Sequence, residues 1–237
     1  MSGRKKNLEN CDAASNACVL LFTKYPEKGV VKRRLAQSLP ADKVIDLYRC
    51  FVLDSIETLK ASGIPCSICY HPRTRLEAFQ RWLGTDMTYV PQRGSDIGTR
   101  LRNAFCDVFA MEFEKAMVIG SDSPDLPVGT LIESSAALDS NDAVIGPSTD
   151  GGYYLIGFSC RGFLPSAFDG IHWSTSRVFE DTMSRLEAAG LKTHILETWS
   201  DVDTKDDLIA LFQNLCEQRS FASRTMQFIS RNKALLR

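Results

Sequence analysis

The chain has almost no excess charge of either sign: 28 basic residues stand against 29 acidic ones in a length of 237. That balance supplies no overall field to draw the protein to nucleic acid or to a membrane surface, so any anion binding must be local. Only three histidines are present, none next to another, and no Ser/His/Asp or Cys/His constellation offers a protein nucleophile. Long apolar runs are missing too. The longest early one, Ala17 to Phe22, is far too short to cross a bilayer. Residues 1–16 are polar, carry Arg4, Lys5 and Lys6, and lead into no apolar core of signal-peptide length. They predict a disordered lead-in and a cytoplasmic protein.

Eight cysteines are present, but most are scattered singly. Cys66 and Cys69 form a C-x-x-C within an expected strand, where an odd offset sends the two thiols to opposite faces of the sheet. With no second pair and no clustered histidine, a zinc site is not expected. Free, mostly buried thiols in a reducing compartment are.

What the sequence does have is alternation. Short, apolar, β-branched segments at Cys18–Thr23, Cys66–His71, Thr88–Pro91, Ala116–Gly120, Ala143–Pro147, Tyr153–Phe158 and Thr193–Glu197 read as strands covered on both faces. Helical periodicity lies between most of them. It is clearest from Asp42 to Ser62, and recurs from Thr175 to Ala189 and from about Thr204 onward. The pattern predicts an α/β fold with a mainly parallel, Rossmann-like sheet in a single domain over 17–218. The interval from Pro147 to Tyr153 is too short for a helical crossover and predicts a local hairpin. Residues 219–237, rich in Arg and Lys, read as a C-terminal helical tail docked on the body or as a basic interaction tail.

In such a sheet, ligands bind beyond the carboxyl ends of the strands. After the first strand come Lys24, a turn at Pro26 and Gly29, and an expected helix start near Val31. Its backbone N–H groups, with Lys24, Lys32, Arg33 and Arg34, would suit phosphates, although this is neither a P-loop nor a G-x-G-x-x-G. After the third strand, Gln92 and Arg100 flank a Gly-rich loop and could read a base edge or hold a phosphate, with Ser95 or Asp96 as a helix cap. Asp122 ends the fourth strand and suits a hard cation, while Asp125 reads as a cap. Asp150, Gly151 and Gly152 form a substrate loop or a tight turn, and Trp173 is large enough to line a pocket beside the possible caps Ser174 and Thr175. Asp201 or Asp203 could cap the last helix. Asp203 could instead be a second metal carboxylate.

Phe22–Leu35, Gln92–Arg100, Gly120–Leu126, Gly146–Gly157, Trp173-Ser174-Thr175 and Asp201–Leu208 occur in an order that resembles one known family. It is the glycosyltransferase-A-like family labelled radical-SAM/selenodomain-associated transferase 1, of the nucleotide-diphospho-sugar transferase superfamily. More distantly the chain is similar to 2-phospho-lactate guanylyltransferase and the sugar-acid cytidylyltransferases. The resemblance implies a glycosyltransferase-A type of sheet, a phosphate-binding role for Lys32, and metal-binding roles for Asp122 and Asp203. Arg33 departs from the family, which commonly has a small residue there.

These readings lead to a metal-dependent nucleotidyltransferase using Mg²⁺ or Mn²⁺ and joining a nucleotide to a small phosphorylated or acidic acceptor, with pyrophosphate leaving. Lys32 and Asp122 are its expected catalytic residues. Lys24, Gly29, Arg34, Gln92 and Arg100 join Lys32 around the nucleotide, and Asp150, Gly151, Gly152 and Trp173 contact substrate. A glycosyltransferase using a nucleotide-sugar and a non-catalytic nucleotide-binding protein are the alternatives. The expected partners are small molecules rather than nucleic acid or membrane.

Overall fold

The computed structural model describes residues 16–217 and 222–236. Seven strands form one sheet: β1 (Ala17–Lys24), β2 (Cys66–His71), β3 (Thr88–Pro91), β4 (Lys115–Gly120), β5 (Ala143–Pro147), β6 (Tyr153–Ser159) and β7 (Thr193–Ile195). Their order is β3-β2-β1-β4-β6-β5-β7. Every pairing is parallel except the two made by β6, which runs against β4 and β5. The expected hairpin between Pro147 and Tyr153 is the source of that reversal. It lets β5 and β6 pair without a crossover helix.

Alternation along the strands builds two cores. Val19 and Leu21 of β1 and Met117 and Ile119 of β4 point to one face. There they meet α1 (Ala41–Ser62), α4 (Val128–Ala137), α6 (Lys205–Glu217) and α7 (Arg224–Arg231). Leu20, Ala116 and Val118 point to the other face, against α3 (Ile97–Ala110) and α5 (Val178–Ala188). A short α2 (Leu76–Leu83) follows β2. The C-x-x-C divides as its spacing requires: Cys69 is buried in the second core while Cys66 packs against the first. Seven cysteines among the described residues are free thiols.

The helix boundaries follow local chemistry. Gly63 ends α1 with φ of 69°, a conformation that suits a residue without Cβ. Asp96 caps α3 by accepting from the Thr99 N–H at 2.9 Å. The expected lead-in lies outside the described residues except for Asn16, as do Arg219 and Arg237 of the tail. The tail's described part forms α7 and a short 3₁₀ turn, Lys233–Leu236. Among the described residues, no helix is long and apolar enough to cross a membrane.

Candidate active site

After β1 the chain moves outward to β2 and β3, then returns to place β4 on the other side of β1. The gap between β1 and β4 is therefore the point where strand order reverses, and ligands in open α/β sheets gather there. A cleft of about 860 Å³ opens at this point. Its walls include Lys24, Lys32, Arg33, Arg34, Gln92, Arg100, Asp122, Asp150, Gly152, Trp173 and Asp203. Ten of the twelve residues expected to form a site thus meet in one cavity. Gly29 and Gly151 do not.

Lys32 is the centre of one half. Its ammonium lies 2.5 Å from Asp122 Oδ1 and 2.9 Å from Asp203 Oδ1, and 5.9 Å from the Phe51 ring centroid. Burial alone would lower its pKa, but the two carboxylates outweigh that and hold it above the ordinary lysine value, fully charged. The helix expected from Val31 is absent. Gly29, at φ of 76°, makes a turn; Lys32 itself takes φ of 46°; and only a 3₁₀ turn, Leu35–Gln37, precedes α1. Left-handed backbone is costly for lysine. The ion pairs and the burial of Val31 and Leu35 on either side offset it. No helix N-terminus is formed at Val31, so the polar groups this segment brings to the cleft are the side chains of Lys32, Arg33 and Arg34.

Asp122 lies two residues past β4, and its carbonyl accepts from the Val202 N–H at 2.9 Å. That bond joins the end of β4 to the Asp201–Asp203 loop and delivers Asp203 to Lys32. Neither Asp201 nor Asp203 caps α6. Thr204 and Asp207 do so reciprocally, Asp207 accepting from the Thr204 N–H and donating its own N–H to Thr204 Oγ1. Asp201 lies beneath the ion-paired centre, accepting from Ser123 Oγ at 2.5 Å and Ser148 Oγ at 3.1 Å. Burial, then the charge of Asp122, raises its carboxyl to about 6. Asp125 also fails as a cap. It accepts from Trp199 Nε1 at 3.1 Å, and α4 begins after Pro127 without a side-chain cap.

The other half is cationic. Lys24 ends β1, and Arg100 lies on α3 with its Nε donating to the Gly94 carbonyl. His71, at the end of β2, has a pKa lowered by burial and then by Arg100 and Lys24, a local sign of the positive field. Gln92 is buried just past β3, its Nε2 donating to the carbonyls of Cys69 at 2.7 Å and Thr23 at 3.3 Å.

Two loops form the remaining wall. Asp150 Oδ1 accepts from the Gly152 N–H at 2.9 Å. Gly151, at φ of 88°, packs so closely on Ser176 that a Cβ would collide with its backbone, so it clamps the two loops. Trp173 lies over Gly98 and meets Tyr153 edge-on at 6.4 Å. Neither Ser174, at φ of 64°, nor Thr175 caps α5. Its N-terminal flank is Arg177, and Thr175 Oγ1 donates to the His172 carbonyl.

Tyr48 is a site residue that the sequence did not disclose. Its periodicity on α1 marks it only as core. In the structure its hydroxyl meets Thr23 Oγ1 at 3.0 Å and Ser121 Oγ at 2.9 Å, and accepts from the Lys24 N–H at 3.1 Å. It ties together the ends of β1 and β4 on either side of the cleft.

Asp122 and Asp203 carry hard carboxylate oxygens that are partly exposed and drawn together by Lys32. Among the described residues no group of three or more His, Cys, Asp or Glu is placed to cage a metal. The donor set fits Mg²⁺, which commonly takes one or two carboxylates and shares the rest of its shell with phosphates and water.

A family model described as "Uncharacterized protein conserved in bacteria (DUF2064)" matches residues 53–175. The chain is 38% identical to a "putative nucleotide-diphospho-sugar transferase" of Desulfovibrio desulfuricans G20, over 94% of this chain and 97% of that one, with a TM-score of 0.90. Two more distant structures share the fold. One is CMP:2-keto-3-deoxy-manno-octonic acid synthetase complexed with CTP: 12% identity, 85% of this chain and 99% of that, TM-score 0.52. The other is a nucleotidyl transferase from Methanothermobacter thermautotroptrophicus: 13% identity, 85% and 98%, TM-score 0.56.

Proposed function

The chain belongs to the DUF2064 family, and from that premise we propose that its cleft carries out metal-dependent nucleotidyl transfer. The donor is a nucleoside triphosphate and the acceptor a small phosphorylated or acidic molecule. An acceptor oxygen forms a bond to the α-phosphorus, the α–β phosphoanhydride breaks, and pyrophosphate leaves. One observation carries this reading: a buried ammonium held between two carboxylates where strand order reverses, in a cleft most of whose other cations lack carboxylate partners. Among the described residues Lys24, Arg33 and Arg100 make no salt bridge, and Arg34 reaches Asp203 only at 3.9 Å. Polyphosphate supplies the missing anions.

Asp122 and Asp203 would hold Mg²⁺ or Mn²⁺, which when bound offsets charge on the phosphate oxygens. Lys32, always charged and fixed in place, neutralises the leaving pyrophosphate. Arg34 and Arg33, on the exposed side, bind its outer oxygens. An acidic acceptor is already deprotonated at neutral pH, so its attack needs no general base. Catalysis of this kind is positioning plus electrostatics.

A glycosyl transfer from a nucleotide-sugar is the second reading, favoured by Trp173 and Tyr153, whose rings could stack on a sugar. The two differ in what leaves. Incubation with Mg²⁺, nucleotides or nucleotide-sugars and a metabolite extract should release pyrophosphate, and Asp122→Asn should abolish it without unfolding the protein. Release of nucleoside diphosphate alone, dependent on Asp122, would select the second reading. Binding of nucleotide without either product would mark a non-catalytic binder.

A further inference from the structure

Gln92 presents a fixed hydrogen-bond acceptor to the cleft, in the half where other polar groups donate. Both hydrogens of its amide nitrogen are used, one on the Cys69 carbonyl at 2.7 Å and one on the Thr23 carbonyl at 3.3 Å. The amide cannot turn over, because its oxygen would then face two carbonyl oxygens. Its Oε1 receives no N–H or O–H from the described residues, yet it is not among the side-chain atoms sealed off without a partner. Gln92 is 6% exposed and lines the cleft, so that small opening is toward the ligand space. Lys24 and Arg100, on the same side, are donors only.

A phosphate at neutral pH offers acceptors and no donor, so it cannot satisfy Oε1. The group that can is an N–H or O–H of the ligand. Its position narrows the choice. The amide bridges the ends of β1 and β2, whereas Asp122 lies two residues past β4 on the far side of β1. At ~4.8 Å per strand, that puts Gln92 roughly 5–10 Å from the metal carboxylates, about the reach of a ribose carrying its base. We propose that Gln92 Oε1 accepts a hydrogen bond from the exocyclic amino group of the nucleobase, making Gln92 a specificity-determining residue for amino-bearing nucleotides. A uracil N3–H is a poorer match. It is recessed between two carbonyl oxygens, which would face the Thr23 and Cys69 carbonyls.

The proposal rests on the nucleotide reading of the cleft and is tested apart from catalysis. Binding is measured by calorimetry with Mg²⁺ for three matched pairs: CTP and UTP, ATP and purine riboside triphosphate, GTP and ITP. In whichever pair binds tightest, the amino-bearing member is expected to bind about tenfold more tightly. Gln92→Met should weaken both members and bring their ratio close to one. The wild-type ratios decide the matter even if that variant does not fold. Triphosphates that bind with no amino preference overturn the role of Gln92 and leave the nucleotide reading standing. So does a preference for ribose over 2′-deoxyribose that alone vanishes in Gln92→Met. No binding by any triphosphate overturns both.

Discussion

Tyr48 illustrates what a single residue contributes. Its phenol is buried, and burial and then the charge of Asp122 raise its pKa, so it stays neutral and serves both as donor and as acceptor. Tyr48→Phe keeps the ring and removes the oxygen. The Lys24 N–H and Ser121 Oγ then lose a partner in a place water reaches poorly. The expected cost is ~1–3 kcal/mol of stability by urea denaturation, with unchanged m-value. A change under ~0.3 kcal/mol would mean the strand ends hold without it. Nothing in the sequence separates Tyr48 from its apolar neighbours, because its partners are a strand end 25 positions earlier and another 73 later. Asp125 and Asp201 differ from the cap roles their local sequence suggests for the same reason. Each looks like a helix cap locally, yet Trp199 claims one and Ser123 with Ser148 claims the other. By contrast, Asp96 and Thr204 cap with donors three residues away, and only the former was within the expected set.

Among the elements, strands were the most legible. Each of the seven lies where its apolar run predicts; the five inner strands are covered on both faces and leave a hydrophobic signature, whereas the edge strands β3 and β7 are only partly buried. The segment after β1 was legible only in its turn at Gly29; the absence of a helix from Val31 and the left-handed Lys32 go with the distant carboxylates that draw the lysine inward. The C-terminal helix shows how one element is attached. Asp54 of α1 accepts from the backbone N–H groups of Arg224 and Thr225, both at 2.8 Å, and so satisfies the free N-terminus of α7 from another helix. Met226 and Ile229 bury beneath it. Asp54→Ala should cost ~1–2 kcal/mol and free α7 before the rest of the fold. Hydrogen exchange is the measurement: amides of Met226 to Ile229 should lose protection while those of β1 and β4 keep it. Uniform loss across the molecule would mean α7 is an inseparable part of the core.

For the molecule as a whole, the cleft is polarised, with cations over β1 to β3 and carboxylates over β4 to β7. His71 reports on the cationic end. Its pKa lies below the ordinary 6.5 in the folded protein, so the unfolded chain binds its proton more readily. The contribution of His71 to stability is therefore complete above 6.5 and is lost as pH falls from there through the lowered value. A bound triphosphate counters Lys24 and Arg100 and should move the imidazole pKa upward, which NMR titration with and without nucleotide reads directly. A pKa that stays in place at saturation would put the phosphates elsewhere.

The clamp on Lys32 also has a consequence in time. Its two carboxylate partners belong to the middle and the last part of the chain, Asp203 lying 171 residues after the lysine. During synthesis the ribosome exposes Lys32 early, Asp122 midway and Asp203 only near the end. The emerging polypeptide can assemble β1 to β4 while its ligand cleft is still open on one side. The Lys32 clamp is therefore complete only once the segment carrying Asp203 has folded back onto the end of β4.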